Sequence, residues 1–67
     1  MNGKVKWFSR QKGYGFITGE DGKDYFAHYS GINSKGYRFL RQEADVTFDV
    51  ETMDGGKEKA INIVTVK

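Results

Sequence analysis

Glycine turns set the limits on what this chain can become. Nine glycines punctuate 67 residues, and the apolar residues between them alternate rather than recurring every three or four positions. Residues 3–8, Gly-Lys-Val-Lys-Trp-Phe, read as a first strand, followed by a turn at 10–13. Residues 14–18 read as a second strand. Asp21-Gly22 is a hairpin turn signal, and Asp24 to His28 or Tyr29 is a third strand. Residues 46–50 alternate cleanly as a fourth. Asp54-Gly55-Gly56 turns the chain into a fifth strand, from Lys59 to Val66. Five short strands in so few residues must close on themselves, because an open sheet would leave edges unpaired. The expected fold is all-β, a small five-stranded antiparallel barrel forming one domain over residues 1–67.

The segment 30–44 is the exception. Tyr37, Leu40, Arg41 and Ala44 fall at one-turn spacing, while Gly31 and Gly36 oppose a helix. A long loop with a single helical turn is the expectation, and loops of that length are often functional.

Composition excludes several function classes. There is no cysteine, so neither a disulfide nor a thiolate site exists. No long apolar run or leader pattern is present, which predicts neither a membrane span nor a signal peptide. A lone histidine makes no metal site, and nothing in the spacing supports a catalytic triad. Gly13-Tyr14-Gly15 lacks the third glycine of a dinucleotide fingerprint. The reading is a non-enzyme with no cofactor, no metal and no small-molecule substrate.

Charge is informative in its distribution. The net charge is only +2. Residues 1–16 nevertheless carry Lys4, Lys6, Arg10 and Lys12 with no acid, and residues 30–42 carry Lys35, Arg38 and Arg41 with none. Acids collect at Glu43, Asp45, Asp49, Glu51 and Asp54. A fold that joins the first two segments has a basic side and an acidic side, which orients a polyanion.

Strand alternation then sorts the aromatics. Tyr14 and Phe16 share one face of the second strand, and Phe26 and His28 share one face of the third. With Ile17 and Ala27 turned inward, these four side chains stand together outside, with Lys12 at their edge and Lys6, and Trp7 or Phe8, beside them. Rings are more often core than surface. Here Val5, Ile17, Ile32, Val46, Phe48, Val50, Ile61 and Ile63 already supply a core, and the inverse arrangement would bury His28. Exposed rings interleaved with lysines suit single-stranded nucleic acid: bases stack on the rings and cations neutralise phosphates. The alternative from another class is a protein-interaction module that docks an extended peptide on its aromatic face. Quenching of Trp7 fluorescence by an oligonucleotide, lost in high salt, discriminates the two.

Lys12-Gly13-Tyr14-Gly15-Phe16-Ile17 resembles the first ribonucleoprotein motif, and Tyr25-Phe26-Ala27-His28-Tyr29 resembles the second. With residues 3–8 before them and Ser30-Gly31-Ile32 after, the whole chain is similar to the cold-shock domain family, of the bacterial cold shock protein type. RNA-recognition-motif domains carry these motifs in the opposite order, beside two helices not found here. The resemblance implies a barrel of the oligonucleotide-binding type with a long loop between strands three and four. It implies a protein that binds single-stranded RNA and DNA, acts as an RNA chaperone and serves stress responses; the expectation is a cytoplasmic monomer with no membrane partner. By similarity the binding positions are Lys6, Trp7, Lys12, Tyr14, Phe16, Phe26, His28, Tyr29 and Tyr37, with Phe8 and Asp24 also matching. The resemblance implies an exposed Trp7, whereas strict alternation groups it inward with Val5, and a β-bulge would reconcile the two. Arg38 and Arg41 make the loop more basic than usual for the family and are expected to add phosphate contacts. Ser9, Tyr25, Ala44 and Glu58 depart from its pattern, standing for a frequent asparagine, a branched aliphatic residue, a glycine and a proline. A buried Tyr25 needs a partner for its hydroxyl.

Overall fold

A computed structural model describes residues 1–33 and 40–66. The five strands are β1 (Asn2–Ser9), β2 (Tyr14–Gly19), β3 (Asp24–His28), β4 (Asp45–Thr52) and β5 (Glu58–Thr65). They close into a barrel in the order β1-β2-β3-β5-β4. The expected all-β barrel is therefore the observed one. One pairing differs from expectation: β3 and β5 run parallel, joined at Phe26↔Lys59 and Ala27↔Ala60, while the other pairs are antiparallel. The long connection after β3 brings the chain into β4 so that β5 returns alongside β3 in the same direction.

Part of the helical turn expected from the Tyr37–Ala44 spacing lies outside the described residues. A single 3-10 turn occupies Tyr29–Gly31, directly after β3. Leu40 to Ala44 is not helical, and Tyr37 lies outside the described residues. Leu40 is instead buried in the core. Ala44, at a usual glycine position, escapes strain because the positive φ of 68° falls on Glu43. The Glu43 N–H donates to the Val5 carbonyl at 2.7 Å and the Val5 N–H to the Ala44 carbonyl at 3.0 Å, tying this turn to β1.

The core holds Val5, Ile17, Tyr25, Ala27, Ile32, Leu40, Val46, Phe48, Ala60 and Ile63. Val50 is only partly buried and packs against this cluster. Ile61, expected inside, is half-buried while Ala60 takes the inward position. The cause is an irregularity in β5. Asp49 pairs with Ile61 but Thr47 pairs with Val64, so β5 carries one extra residue there. Asn62, at φ 51°, absorbs it, and asparagine tolerates that conformation better than most residues.

Tyr25 finds its hydroxyl partner across the hairpin. Its ring packs on Phe48 with centroids 5.4 Å apart, and its hydroxyl donates to Asp21 Oδ2 at 2.6 Å. That bond, then burial, pushes the phenol up to about 12. The Asp21 carboxyl is held below its ordinary value, first by Tyr25 and then by the Lys23 N–H. No helix among the described residues is long and apolar enough to cross a membrane.

Candidate nucleic-acid interface

The site is built on the β1-β2-β3 meander. Phe16 pairs with Phe26 and Tyr14 with His28, which sets these four side chains on one outward face, as alternation predicts. Glycine at 15 keeps the opposite face flat: a Cβ there would strike the Trp7 carbonyl oxygen and lie 2.6 Å from the Phe8 Cα. β1 can therefore lie close against β2.

A bulge in β1 resolves the placement of Trp7. Val5 pairs with Ile17, and Trp7 pairs with Phe16, so Lys6 is an additional residue. The bulge reverses the inward–outward phase. Val5 stays in the core, Trp7 joins the outer face at 39% exposure, and Phe8 turns inward to pack against the core. Phe8, a candidate by similarity, thus takes part in the barrel's packing.

The rings form one continuous surface. Trp7 lies 6.1 Å from Tyr14 and 5.7 Å from Phe16, centroid to centroid. Phe26 lies 5.8 Å from both Tyr14 and Phe16. His28 follows at 6.3 Å from Phe26, and Tyr29 at 4.6 Å from His28. Tyr29 is the most open of these rings, at 47% exposure. Its position is fixed by its own N–H, which donates to the Gly13 carbonyl at 2.8 Å. Gly13 has φ 78°, and a Cβ there would come within 2.7 Å of the Tyr29 ring. His28 is oriented by the 3-10 turn: its Nδ1 accepts the Ser30 N–H at 3.2 Å and lies 2.8 Å from the Ser30 hydroxyl.

Basic groups border the rings. Lys12 is exposed in the β1–β2 turn, where its backbone N–H donates to Ser9 Oγ at 3.1 Å. Serine therefore serves the turn in the place of the family's asparagine. Lys6 Nζ bonds Asp24 Oδ2 at 2.9 Å, and Thr18 Oγ1 donates to Asp24 Oδ1 at 2.9 Å. These bonds, Lys6 first, hold the Asp24 carboxyl below its ordinary value. Asp24 thereby holds Lys6 at the edge of the ring surface. Arg41 is exposed on the way into β4, whereas Tyr37 and Arg38 lie outside the described residues.

The acids gather elsewhere. β4 sits between β1 and β5 in the barrel and adjoins neither β2 nor β3. Asp45 pairs with Lys4 at 3.5 Å and Glu51 with Lys59 at 3.3 Å, while Asp49 accepts from Asn62 at 3.1 Å. Lys4, counted with the basic segment in the sequence, is thus spent on the acidic strand. Asp21, the partner of Tyr25, was not singled out from sequence. Its position four residues before the tyrosine, across a tight turn, is the only signal for it there.

The model of the "cold-shock" DNA-binding domain matches residues 1–66. Cold shock protein 1 of Lactiplantibacillus plantarum is 54% identical over 63 residues, covering 94% of this chain and 94% of that protein. Cold shock-like protein CspB of Bacillus cereus is 47% identical, covering 90% of this chain and 92% of that protein. Glycine-rich protein 2 of Nicotiana sylvestris is 52% identical over 91% of this chain, which spans 29% of that longer protein. A family match across nearly the whole chain, on a closed five-stranded barrel, places this protein in the cold-shock domain family, whose members bind nucleic acid and are not enzymes.

Proposed function

We propose that this protein binds single-stranded RNA and DNA by stacking successive bases on the outer face of β1, β2 and β3. The observation that carries this is the unbroken run of rings from Trp7 through Tyr14, Phe16, Phe26 and His28 to Tyr29. Each base stacked on such a ring contributes about 1–3 kcal/mol with little regard to its identity. A duplex keeps its base faces hidden, so the surface selects single strands.

Lys6 and Lys12 neutralise phosphates along the edge of the rings. Arg41 extends that role toward β4, Arg38 adds a further phosphate contact, and Tyr37 is a binding position by family similarity. Asp24 acts by holding Lys6 in place. Sequence-tolerant stacking suits an RNA chaperone, which must hold many different strands open against pairing. The similarity to cold shock proteins supports a role in the response to cold.

The test compares single- and double-stranded oligonucleotides of one sequence at two salt concentrations, followed by Trp7 fluorescence. Single strands should quench Trp7 and bind far more tightly than duplex. Affinity should fall with log salt at a slope of roughly −0.7 per phosphate neutralised. Equal affinity for the two forms would overturn the stacking mechanism.

A further inference from the structure

One row of outward side chains crosses the barrel from β1 to β4. Trp7 pairs with Phe16, Phe16 with Phe26, Phe26 with Lys59 and Lys59 with Glu51. Ala27 and Ala60 pair beside this row and are buried in the core, so Phe26 and Lys59 both face out. Three rings are therefore followed by a cation and then by an acid. β5 carries none of the rings, and sequence reading gave it no part in the interface.

A cavity of about 400 Å³ opens beside Lys59, between the 3-10 turn and β5. His28, on the ring surface, lines it together with Ser30, Asn33, Lys59 and Asn62. None of the described residues lining it is acidic, and Lys59 is the one ammonium among them. Glu58, the residue before Lys59, alternates to the other side of β5, where its charge acts on Tyr25. A strand stacked on Phe26 and then on His28 would carry the phosphate between those two bases past Lys59.

The Lys59 ammonium lies 3.3 Å from the Glu51 carboxylate. The pair is open to water, with the two side chains 36% and 54% exposed. Such a pair contributes only about 0–1 kcal/mol. A phosphate offers the ammonium the same kind of partner, an anionic oxygen, and its neutralisation also releases counterions condensed on the strand. A strand held by its stacked bases can therefore draw Lys59 away from Glu51.

We infer that Lys59 is a phosphate-binding residue on the β5 side of the ring surface, and that Glu51 competes with the strand for it. The inference rests on the single-strand reading above and adds one contact, with its competitor, to that interface.

The experiment titrates hexauridylate against the protein at four salt concentrations, with Trp7 fluorescence as the readout. The variants are Lys59→Gln, Glu51→Gln and the two combined. Lys23→Gln, at the β2–β3 turn, removes the same charge away from the row. Lys59→Gln should weaken binding and make the salt slope shallower by about 0.7, whereas Lys23→Gln should keep the wild-type slope. Glu51→Gln should tighten binding, and most of that gain should vanish when Lys59 is also replaced. A wild-type slope in Lys59→Gln, or an equally shallow one in Lys23→Gln, would overturn the phosphate contact while leaving stacking intact. A gain from Glu51→Gln that is the same with and without Lys59 would reflect general repulsion and overturn the competition. A wild type whose Trp7 fluorescence does not respond to the strand at low salt would overturn the stacking reading itself.

Discussion

Tyr25 and Asp21 show how one substitution propagates into a pH dependence. A tyrosine in a core this small needs an acceptor, and the Asp21 carboxylate supplies it at 2.6 Å. The bond is made by a neutral phenol and an ionised carboxylate. The phenol is raised from 10.0 to about 12, so its contribution is complete below pH 10 and lost as pH climbs through 12. The carboxyl is lowered from 3.8, so its contribution is complete above that value and lost as acid takes the pH down through the lowered one. Tyr25→Phe removes the bond. The difference in urea midpoint between wild type and variant should be level from about pH 5 to about pH 9 and shrink toward both extremes. A difference that stays constant into strong acid and strong alkali would show that the bond contributes nothing. Residues of this kind mark the limit of pattern reading. Alternation placed Tyr25 inside, but only the geometry of the Asp21-Gly22 turn could name its partner. Likewise nothing in composition marks Glu43 as the residue that takes the positive φ beside Ala44.

At the scale of elements, regularity decided what was legible. β2 and β3 alternate without interruption and pair in simple register, so their faces and four of the rings follow from period two. β1 and β5 each carry an extra residue, and after it every inward–outward assignment reverses. That reversal moved Trp7 outward and Phe8 inward, and exchanged Ile61 for Ala60 in the core. For Trp7 the family resemblance compensated, whereas for β5 no motif did. The β1–β2 contact also makes a sharp prediction. Gly15→Ala would drive a methyl group into the Trp7 carbonyl, at backbone that the bulge already holds. Such overpacking should lower stability by about 1–3 kcal/mol, read from the urea midpoint. Single-strand affinity should fall with it, because Trp7 hangs on the same register. An unchanged midpoint would mean that β1 stands off β2 farther than this register implies.

For the molecule as a whole, charge is arranged by barrel order more than by net balance. Acidic β4 is kept apart from the two strands that carry most of the rings, so a net charge of +2 accompanies a surface divided in sign. The surface ion pairs Lys4–Asp45 and Lys59–Glu51 contribute little to stability, about 0–1 kcal/mol each, and their effect is on where the field points. The barrel also divides unevenly in assembly. All six rings of the described surface come from residues 7–29, on β1, β2, β3 and the 3-10 turn that follows β3. Closure depends instead on distant segments, and β3 meets β5 at only two registers. Short loops close early and long ones late, so the binding face should exist in the folding transition state before the barrel shuts. A ligand that recognises this face would then act as a folding catalyst as well as a stabiliser. In stopped-flow measurements a short pyrimidine strand should raise the refolding rate while leaving unfolding nearly unchanged. Retarded unfolding with refolding unaltered would show that closure comes first.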